Sequence, residues 1–252
     1  MLTDYSLTPC AKRVLNLFLL VDTSGSMHGE KIAACNDAIR NVIPMVSSIG
    51  DSNPDSEIKL SVMTFADSCR WLNSEPVAIS SFQWTDQSAD GCTQMGEACC
   101  VLNKALSHKT GMLQSASGSY APVCIMISDG EPTDDFNAGI AQLNTNSWFR
   151  HSTRLAIAIG NDADKEKLAT FTGSADSVYT VHNVEALKSV IKCLVVTSTM
   201  VCSHGSSSVG SQSMTKSEET VSAINEELSG TAGIDLAADR ANLFDIDLDE
   251  FD

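Results

Sequence analysis

Positive charge is scarce in this chain. Lysine and arginine together number 16 against 32 aspartates and glutamates, so the formal net charge is −16 over 252 residues. Proteins that bind the phosphate backbone of nucleic acids depend on a basic surface, which this composition does not supply. The charge balance therefore argues against a nucleic-acid ligand and favours cations, or partners that carry basic patches.

Long apolar runs and paired cysteines are also missing. The apolar stretch from Leu17 to Val21 ends at Asp22 and is far too short to span a membrane, and Asp4 precedes it, unlike in a signal peptide. The nine cysteines form neither a C-x-x-C pair nor a Cys/His cluster of the zinc-finger type. We therefore expect a reduced, cytoplasmic protein without a membrane association, although secretion without a leader stays open.

Short apolar runs alternate with longer amphipathic stretches up to about residue 202. Six runs are predicted to be strands, at 14–21, 57–65, 71–79, 122–128, 154–160 and 177–181. Helices are predicted at 30–46, where Pro44 favours a kink or an early end, and at 93–106, 163–171 and 183–201. The alternation predicts a Rossmann-like, doubly wound α/β fold, with a mostly parallel six-stranded sheet and helices on both of its faces.

Composition changes after this domain, which we place at residues 12–202. Residues 203–252 are Ser-rich and then acidic, and from Gly205 onward the chain has 11 acidic and 2 basic residues. Such a segment buries too little apolar surface to offset its ordering entropy, so we expect a disordered tail. The tail is either a solvated terminus, a motif that folds on a partner, or a source of a carboxylate for the site described next.

The segment LLVDTSGSMHGEK, residues 19–31, places oxygen-bearing side chains at every second position after an apolar run. In an extended chain, alternate residues point to one side, so Asp22, Ser24 and Ser26 converge just beyond the first strand. A carboxylate with two hydroxyls is a set of hard oxygen donors, which suits Mg²⁺, Mn²⁺ or Ca²⁺.

Two more oxygen donors are expected at the same place. Asp129 follows the strand at 122–128, as Asp22 follows the first strand, and ligands of such sheets bind where the strand order reverses. Two neighbouring carboxylates repel each other unless a cation lies between them. Thr93, at the start of a predicted helix, adds a hydroxyl.

With Thr93 and SDGEPTDD, the DTSGS motif resembles the metal-ion-dependent adhesion site (MIDAS) of von Willebrand factor A (vWA) domains. The resemblance covers residues 12–202. It implies a vWA fold and a metal bound by Asp22, Ser24, Ser26, Thr93 and Asp129, with Mg²⁺ as the expected cofactor. DTSGSMHGEKI, TQMGEA and SDGEPTDD are further similar to the cytoplasmic bacterial TerY-like group associated with tellurite resistance, which has Gly-Gly-Thr where this chain has Gly91-Cys92-Thr93.

The function implied by this resemblance is protein interaction, not catalysis. A partner's Asp or Glu would complete the metal coordination, in a stress or tellurite-resistance setting that includes a kinase and phosphatase pair. One alternative is a vWA subunit that regulates an ATPase or chelatase complex. The other is a Mg²⁺-dependent phosphohydrolase. That chemistry needs a second Asp two residues after the first, where this chain has Ser24, so the sequence argues against it. No G-x-S-x-G elbow supports a serine nucleophile either.

Overall fold

One sheet runs through the domain. The computed structural model describes residues 12–51, 56–107, 109–113, 119–203 and 215–236, and eight strands are found within them. They are β1 (Arg13–Asp22), β2 (Ser56–Phe65), β3 (Cys69–Trp71), β4 (Val77–Ala78), β5 (Val123–Ser128), β6 (Thr153–Ile159), β7 (Val178–Val181) and β8 (Ile234–Asp235).

The strand order is β3-β2-β1-β5-β6-β7-β8, with β4 also paired to β2. Strands β2, β1, β5, β6 and β7 run parallel, whereas β3, β4 and β8 are antiparallel additions. The chain leaves β1 toward β2 on one side and later returns to β5 on the other. The order therefore reverses between β1 and β5, and their carboxyl ends form the crevice where such sheets bind ligands.

Seven helices cover the two faces of the sheet in the described part of the chain. They are α1 (Glu30–Asp51), α2 (Met95–Ala105), α3 (Phe136–Asn144), α4 (Ser147–His151), α5 (Lys165–Thr172), α6 (Val184–Ser203) and α7 (Lys216–Leu228). On β1, Leu17 and Leu19 pack in the cluster that contains α1, α6 and α7, whereas Phe18 and Leu20 pack with α2 to α5. Because both faces are buried, the strand is almost entirely apolar. The doubly wound α/β prediction is confirmed.

The predicted count of six strands is corrected to eight. In place of one strand at 71–79 the chain forms two short strands, β3 and β4, on either side of Asn73, and β8 is the further strand. The Asn73 side chain accepts a hydrogen bond from Val62 N at 3.0 Å and donates one to Leu60 O at 3.0 Å. The Asn73 amide thus makes the hydrogen bonds to the β2 backbone that the backbone of a continuous strand would have made.

Pro44 does not end or shorten the first helix, contrary to expectation. Helix α1 continues through Pro44 to Asp51. Proline removes one backbone hydrogen bond, but Val42 and Val46 on either side of it are buried against the sheet and α6. Tertiary packing of the apolar face therefore holds the helix together across the proline.

The disorder expected from residue 203 onward does not hold for residues 215–236. Thr215 and Glu218 form a capping box that starts α7, and Ile224 and Leu228 of that helix are buried in the core. Strand β8 then pairs antiparallel with β7. The Ser-rich composition hid an apolar face spaced at i and i+4. The rest of the predicted tail, residues 204–214 and 237–252, lies outside the described residues.

Candidate metal centre

Three loops meet at the carboxyl ends of β1 and β5. Val21 pairs in register with Ile127, so Asp22, the last residue of β1, and Asp129, the residue after β5, lie at neighbouring strand ends. The third loop, before α2, is fastened to the first by two backbone hydrogen bonds of 2.9 Å, from Gly25 N to Gly91 O and from Asp90 N to Thr23 O. The sheet and these bonds bring together side chains that are distant in sequence.

Four of the five sequence-predicted residues lie on one continuous chain of hydrogen bonds. Asp22 Oδ1 accepts a bond from Ser24 N at 2.8 Å. The Ser24 and Ser26 hydroxyl oxygens are 3.0 Å apart, and Ser26 Oγ donates to Asp129 Oδ1 at 2.7 Å. Asp22 and Asp129 are 0% and 3% exposed, whereas Ser26 is exposed and marks where the cluster opens to solvent.

Thr93, the fifth predicted residue, faces the same space across Gly130. A Cβ atom at Gly130 would lie 3.2 Å from Asp22 Oδ2 and 3.3 Å from Thr93 Oγ1, so both oxygens border one small space, which a larger residue would narrow. Thr93 is buried, and its backbone N donates to Thr133 Oγ1 at 2.9 Å. Its own Oγ1 has no hydrogen-bond partner among the described residues, which leaves that oxygen available to a ligand.

The Thr93 loop is held in place by Asp134. The Asp134 carboxylate accepts hydrogen bonds from the backbone N of Gly96 at 2.9 Å and of Glu97 at 2.8 Å, which are in the first turn of α2. An acceptor at this end satisfies free N–H groups and complements the helix dipole. Asp134 therefore fixes the start of α2 and, through it, the position of the loop that carries Thr93.

Burial dominates the electrostatics of Asp22. Desolvation raises the pKa of its carboxyl above the ordinary value, and the negative charge of Asp129 adds to the rise. Hydrogen bonds from Ser128 and Ser24 act in the opposite direction and lower it. A buried carboxylate of this kind is stabilised by a nearby positive charge.

Sequence reasoning missed three residues at this centre. Ser128 donates its hydroxyl hydrogen bond to Asp22 Oδ2, and Lys31, from the first turn of α1, forms an ion pair with Asp129 Oδ2. Lys31 Nζ also lies 3.0 Å from Asp162, on the loop after β6. Ser128 and Lys31 stand within the motif segments and could have been considered. Nothing in the sequence connects Asp162 with the motif, because only the sheet order places its loop beside β5.

The donor set fits a hard divalent cation. Two carboxylates and three hydroxyls are all oxygen donors, of the kind that Mg²⁺ and Ca²⁺ prefer in proteins. Within the described residues, no group of three or more His, Cys, Asp or Glu side chains is placed to hold a metal ion. A cation at this centre would thus depend on the hydroxyls of Ser24, Ser26 and Thr93 beside the two carboxylates.

The fold and this oxygen-lined crevice define the protein as a doubly wound α/β domain with oxygen donors gathered where its strand order reverses. A model of the von Willebrand factor type A domain matches residues 16–192, and the chain belongs to that family. No curated protein matches the chain in sequence.

Solved structures share the fold at low sequence identity. A von Willebrand factor type A protein from Catenulispora acidiphila is 15% identical, with a TM-score of 0.54 over 75% of this chain and 43% of its own. The vWF domain of a type V pili tip protein from Porphyromonas gingivalis is 8% identical, with a TM-score of 0.58 over 79% and 99%. Proximal thread matrix protein 1 from the mussel byssus, solved with a zinc-occupied MIDAS motif, is 16% identical, with a TM-score of 0.50 over 74% and 48%.

Two of these three structures are longer molecules, of which this chain spans less than half. Their common element with this protein is the domain that carries the crevice. In the part of the chain that the structure describes, none of the helices has the length and apolar character needed to cross a membrane.

Proposed function

We propose that this protein is an interaction module that binds a divalent cation through Asp22, Ser24, Ser26, Thr93 and Asp129. A partner's Asp or Glu completes the coordination. The observation that carries this proposal is the convergence of these five oxygen-bearing side chains, from three separate loops, at the β1–β5 crevice. The zinc-occupied MIDAS of the mussel protein, which shares the fold, supports a metal at this position.

Magnesium is the cation that we propose, with Mn²⁺ or Ca²⁺ as substitutes. Two carboxylates balance the charge of a divalent ion, and neutral hydroxyls donate little further electron density, so the bound ion would offer a Lewis-acidic position to an outside carboxylate. The protein's own part is to hold the donors ready. Ser24 N and Ser128 fix both oxygens of Asp22, and Ser26 fixes one oxygen of Asp129.

The loops that carry the centre expose several of their residues to solvent. Ser26, His28, Cys92 and Glu131 are exposed, while the carboxylates beneath them are buried. A partner can therefore reach the centre past Ser26 without disturbing Asp22.

A catalytic role is not part of this proposal. Ser24 Oγ has the Ser26 hydroxyl as its hydrogen-bond partner, where a nucleophilic serine needs a histidine or another base. The setting that we propose is cytoplasmic and of the TerY-like, stress-response type, with a kinase and phosphatase pair among the partners. It is supported by the similarity of DTSGSMHGEKI, TQMGEA and SDGEPTDD to that group.

A pull-down tests the proposal. Purified protein serves as bait in Mg²⁺ or in EDTA, with Asp22→Ala as the metal-site variant and Asp86→Ala as a control on an exposed carboxylate that pairs with Arg40. We expect partners that are retained in Mg²⁺ by the wild type and by Asp86→Ala, and that are lost in EDTA and in Asp22→Ala. Partners that all samples retain equally would contradict a metal-bridged contact.

A further inference from the structure

Lys31 stands between a buried carboxylate of the candidate centre and an exposed one outside it. Its Nζ forms an ion pair with Asp129 Oδ2 and lies 3.0 and 3.2 Å from the two oxygens of Asp162. The side chain of Asp129 is 0% exposed, that of Lys31 25% and that of Asp162 72%. The ammonium group therefore has one partner in the interior and one in solvent.

The two oxygens of Asp129 face different cations. Oδ1 accepts the hydrogen bond from Ser26 and borders the candidate metal position, whereas Oδ2 faces Lys31. An ion bound beside Oδ1 and the ammonium at Oδ2 would thus sit on opposite oxygens of one buried carboxylate. Like charges on the two oxygens of one carboxylate repel each other, and the Asp129 side chain between them is buried.

The second partner of Lys31 is built into the fold. Gly160, at φ +88°, begins the turn that carries Asp162, and a Cβ atom there would lie 2.7 Å from Asp162 Oδ1 and 3.4 Å from the Lys31 side chain. A larger residue would therefore displace Asp162 from Lys31. The glycine keeps this exposed carboxylate within reach of the ammonium.

We propose that Lys31 is an internal counter-ion that competes with the metal for Asp129 and pairs with Asp162 when the metal binds. The inference rests on the proposed metal site. In metal-free protein the ammonium offsets the repulsion between the buried carboxylates Asp22 and Asp129. In loaded protein it remains as an additional positive charge beside the centre, which weakens metal binding and attracts a partner's carboxylate.

The first test measures Mn²⁺ and Mg²⁺ binding by calorimetry on the full chain, after the metal has been stripped. We expect Lys31→Met to lower the dissociation constant about tenfold, because a competing positive charge is removed. Lys31→Arg keeps the charge and should stay near the wild type. Lys188→Met is the matched control, since Lys188 is also 25% exposed and pairs with two carboxylates, of Asp37 and Glu185, away from the centre.

A second variant tests the alternative partner without touching Lys31. Asp162→Asn should weaken metal binding, because the ammonium then has only Asp129 to pair with. In a Lys31→Met background the same substitution should have a much smaller effect. The double-mutant cycle separates this coupling from the general loss of a negative charge near the metal.

The outcomes distinguish this inference from the proposed function. Metal binding that is unchanged or weaker in Lys31→Met, while the wild type binds and Asp22→Ala does not, overturns the role of Lys31 and leaves the metal site standing. Equal effects of Asp162→Asn in both backgrounds also overturn it. Absence of metal binding by the wild type overturns the proposed function and this inference together.

Discussion

The hydroxyl of Ser128 donates a hydrogen bond to Asp22 Oδ2 across 106 positions of sequence, and both residues are 0% exposed. The contact joins the ends of β1 and β5 at the point where the strand order reverses. Ser128 Oγ also accepts a hydrogen bond from Gly130 N at 3.0 Å, so one side chain fixes the Asp22 carboxylate and the loop that carries Asp129. The candidate centre is therefore preorganised by its own neighbours.

Ser128→Ala should reduce both stability and metal affinity. It leaves a buried carboxylate oxygen without its donor, and hydrogen bonds to charged groups contribute about 1.5–3 kcal/mol. Urea unfolding measures the stability, and calorimetry the metal affinity. Ser80→Ala, on an exposed serine, is the control and should change neither. A Ser128→Ala protein as stable as the wild type would show that the contact with Asp22 contributes little.

Asp22→Asn should stabilise the metal-free protein while it abolishes metal binding. The raised pKa of Asp22 means that its charged carboxylate is less stable in the folded state than in the unfolded state, chiefly because it is buried. Asn removes that charge and can still accept the bond from Ser24 N. Thermal unfolding in EDTA measures the gain, at about 2–4 °C for each kcal/mol in a chain of this size.

The sign of the pH dependence follows from the same shift. Above the raised pKa of the folded state, Asp22 is ionised in both states and its burial disfavours folding, so the advantage of Asp22→Asn is largest there. Below the ordinary value of 3.8 the carboxyl is protonated in both states, and the advantage disappears. A difference between variant and wild type that grows toward acid pH would contradict this account.

Gly130→Ala should weaken metal binding more than it affects folding. The added methyl group would lie 3.2 Å from Asp22 Oδ2 and from Thr93 Cγ2, and would push these two side chains apart. Gly230→Ala is the contrasting control. Gly230 has φ +78° and open space around it, so alanine there costs about 1–2 kcal/mol of backbone strain without a contact at the centre. Equal metal affinities in both variants would contradict the arrangement around Gly130.

Ile224→Ala should destabilise the domain by about 2–5 kcal/mol, because Ile224 is 0% exposed and its truncation leaves a cavity. Ser222→Ala, on the exposed side of α7, should have little effect. Urea unfolding of both variants tests whether the helix belongs to the folded domain. A disordered segment would give no loss in either.

Cys92, on the rim of the centre, should react with alkylating reagents before the buried cysteines do. It is exposed in the loop before Thr93, whereas Cys35 and Cys124 are buried and burial raises the pKa of each to about 12. Since the thiolate is the reactive form, iodoacetamide at pH 7.5 should spare the buried pair. Peptide mapping reads the result, and bound partner should slow the reaction at Cys92. Rapid labelling of Cys35 in folded protein would contradict the packing of α1.

The sequence predicts the proximity of site residues where that proximity follows from a short motif or from a general rule of topology. Asp22, Ser24 and Ser26 are close, as the motif predicts, but not as alternate residues of an extended chain: β1 ends at Asp22 and the backbone turns into a 3-10 helix at Gly25–Met27. The apolar run before them predicts a buried strand. Pairing that strand with the one before Asp129 required only the topology rule for parallel sheets. The hydroxyl of Thr93 was expected from the family resemblance and from its position before a helix.

The rest depends on contacts that a single sequence does not encode locally. In the sequence, Lys31 cannot be told from any other lysine in the first turn of a helix, because its partner Asp162 is 131 positions away. Asn73 interrupts an apparently continuous strand through its amide contacts with β2. The apolar face of α7 is sparse, and its packing against α6 and β6 joins it to the domain.

Calorimetric titration of metal-stripped protein with Mn²⁺ tests the central claim most directly. The account predicts a single saturable site in the wild type, displaced by Mg²⁺, and its loss in both Asp22→Ala and Asp129→Ala with folding intact by circular dichroism. Binding of the same strength in either variant, or no binding by the folded wild type, would contradict it.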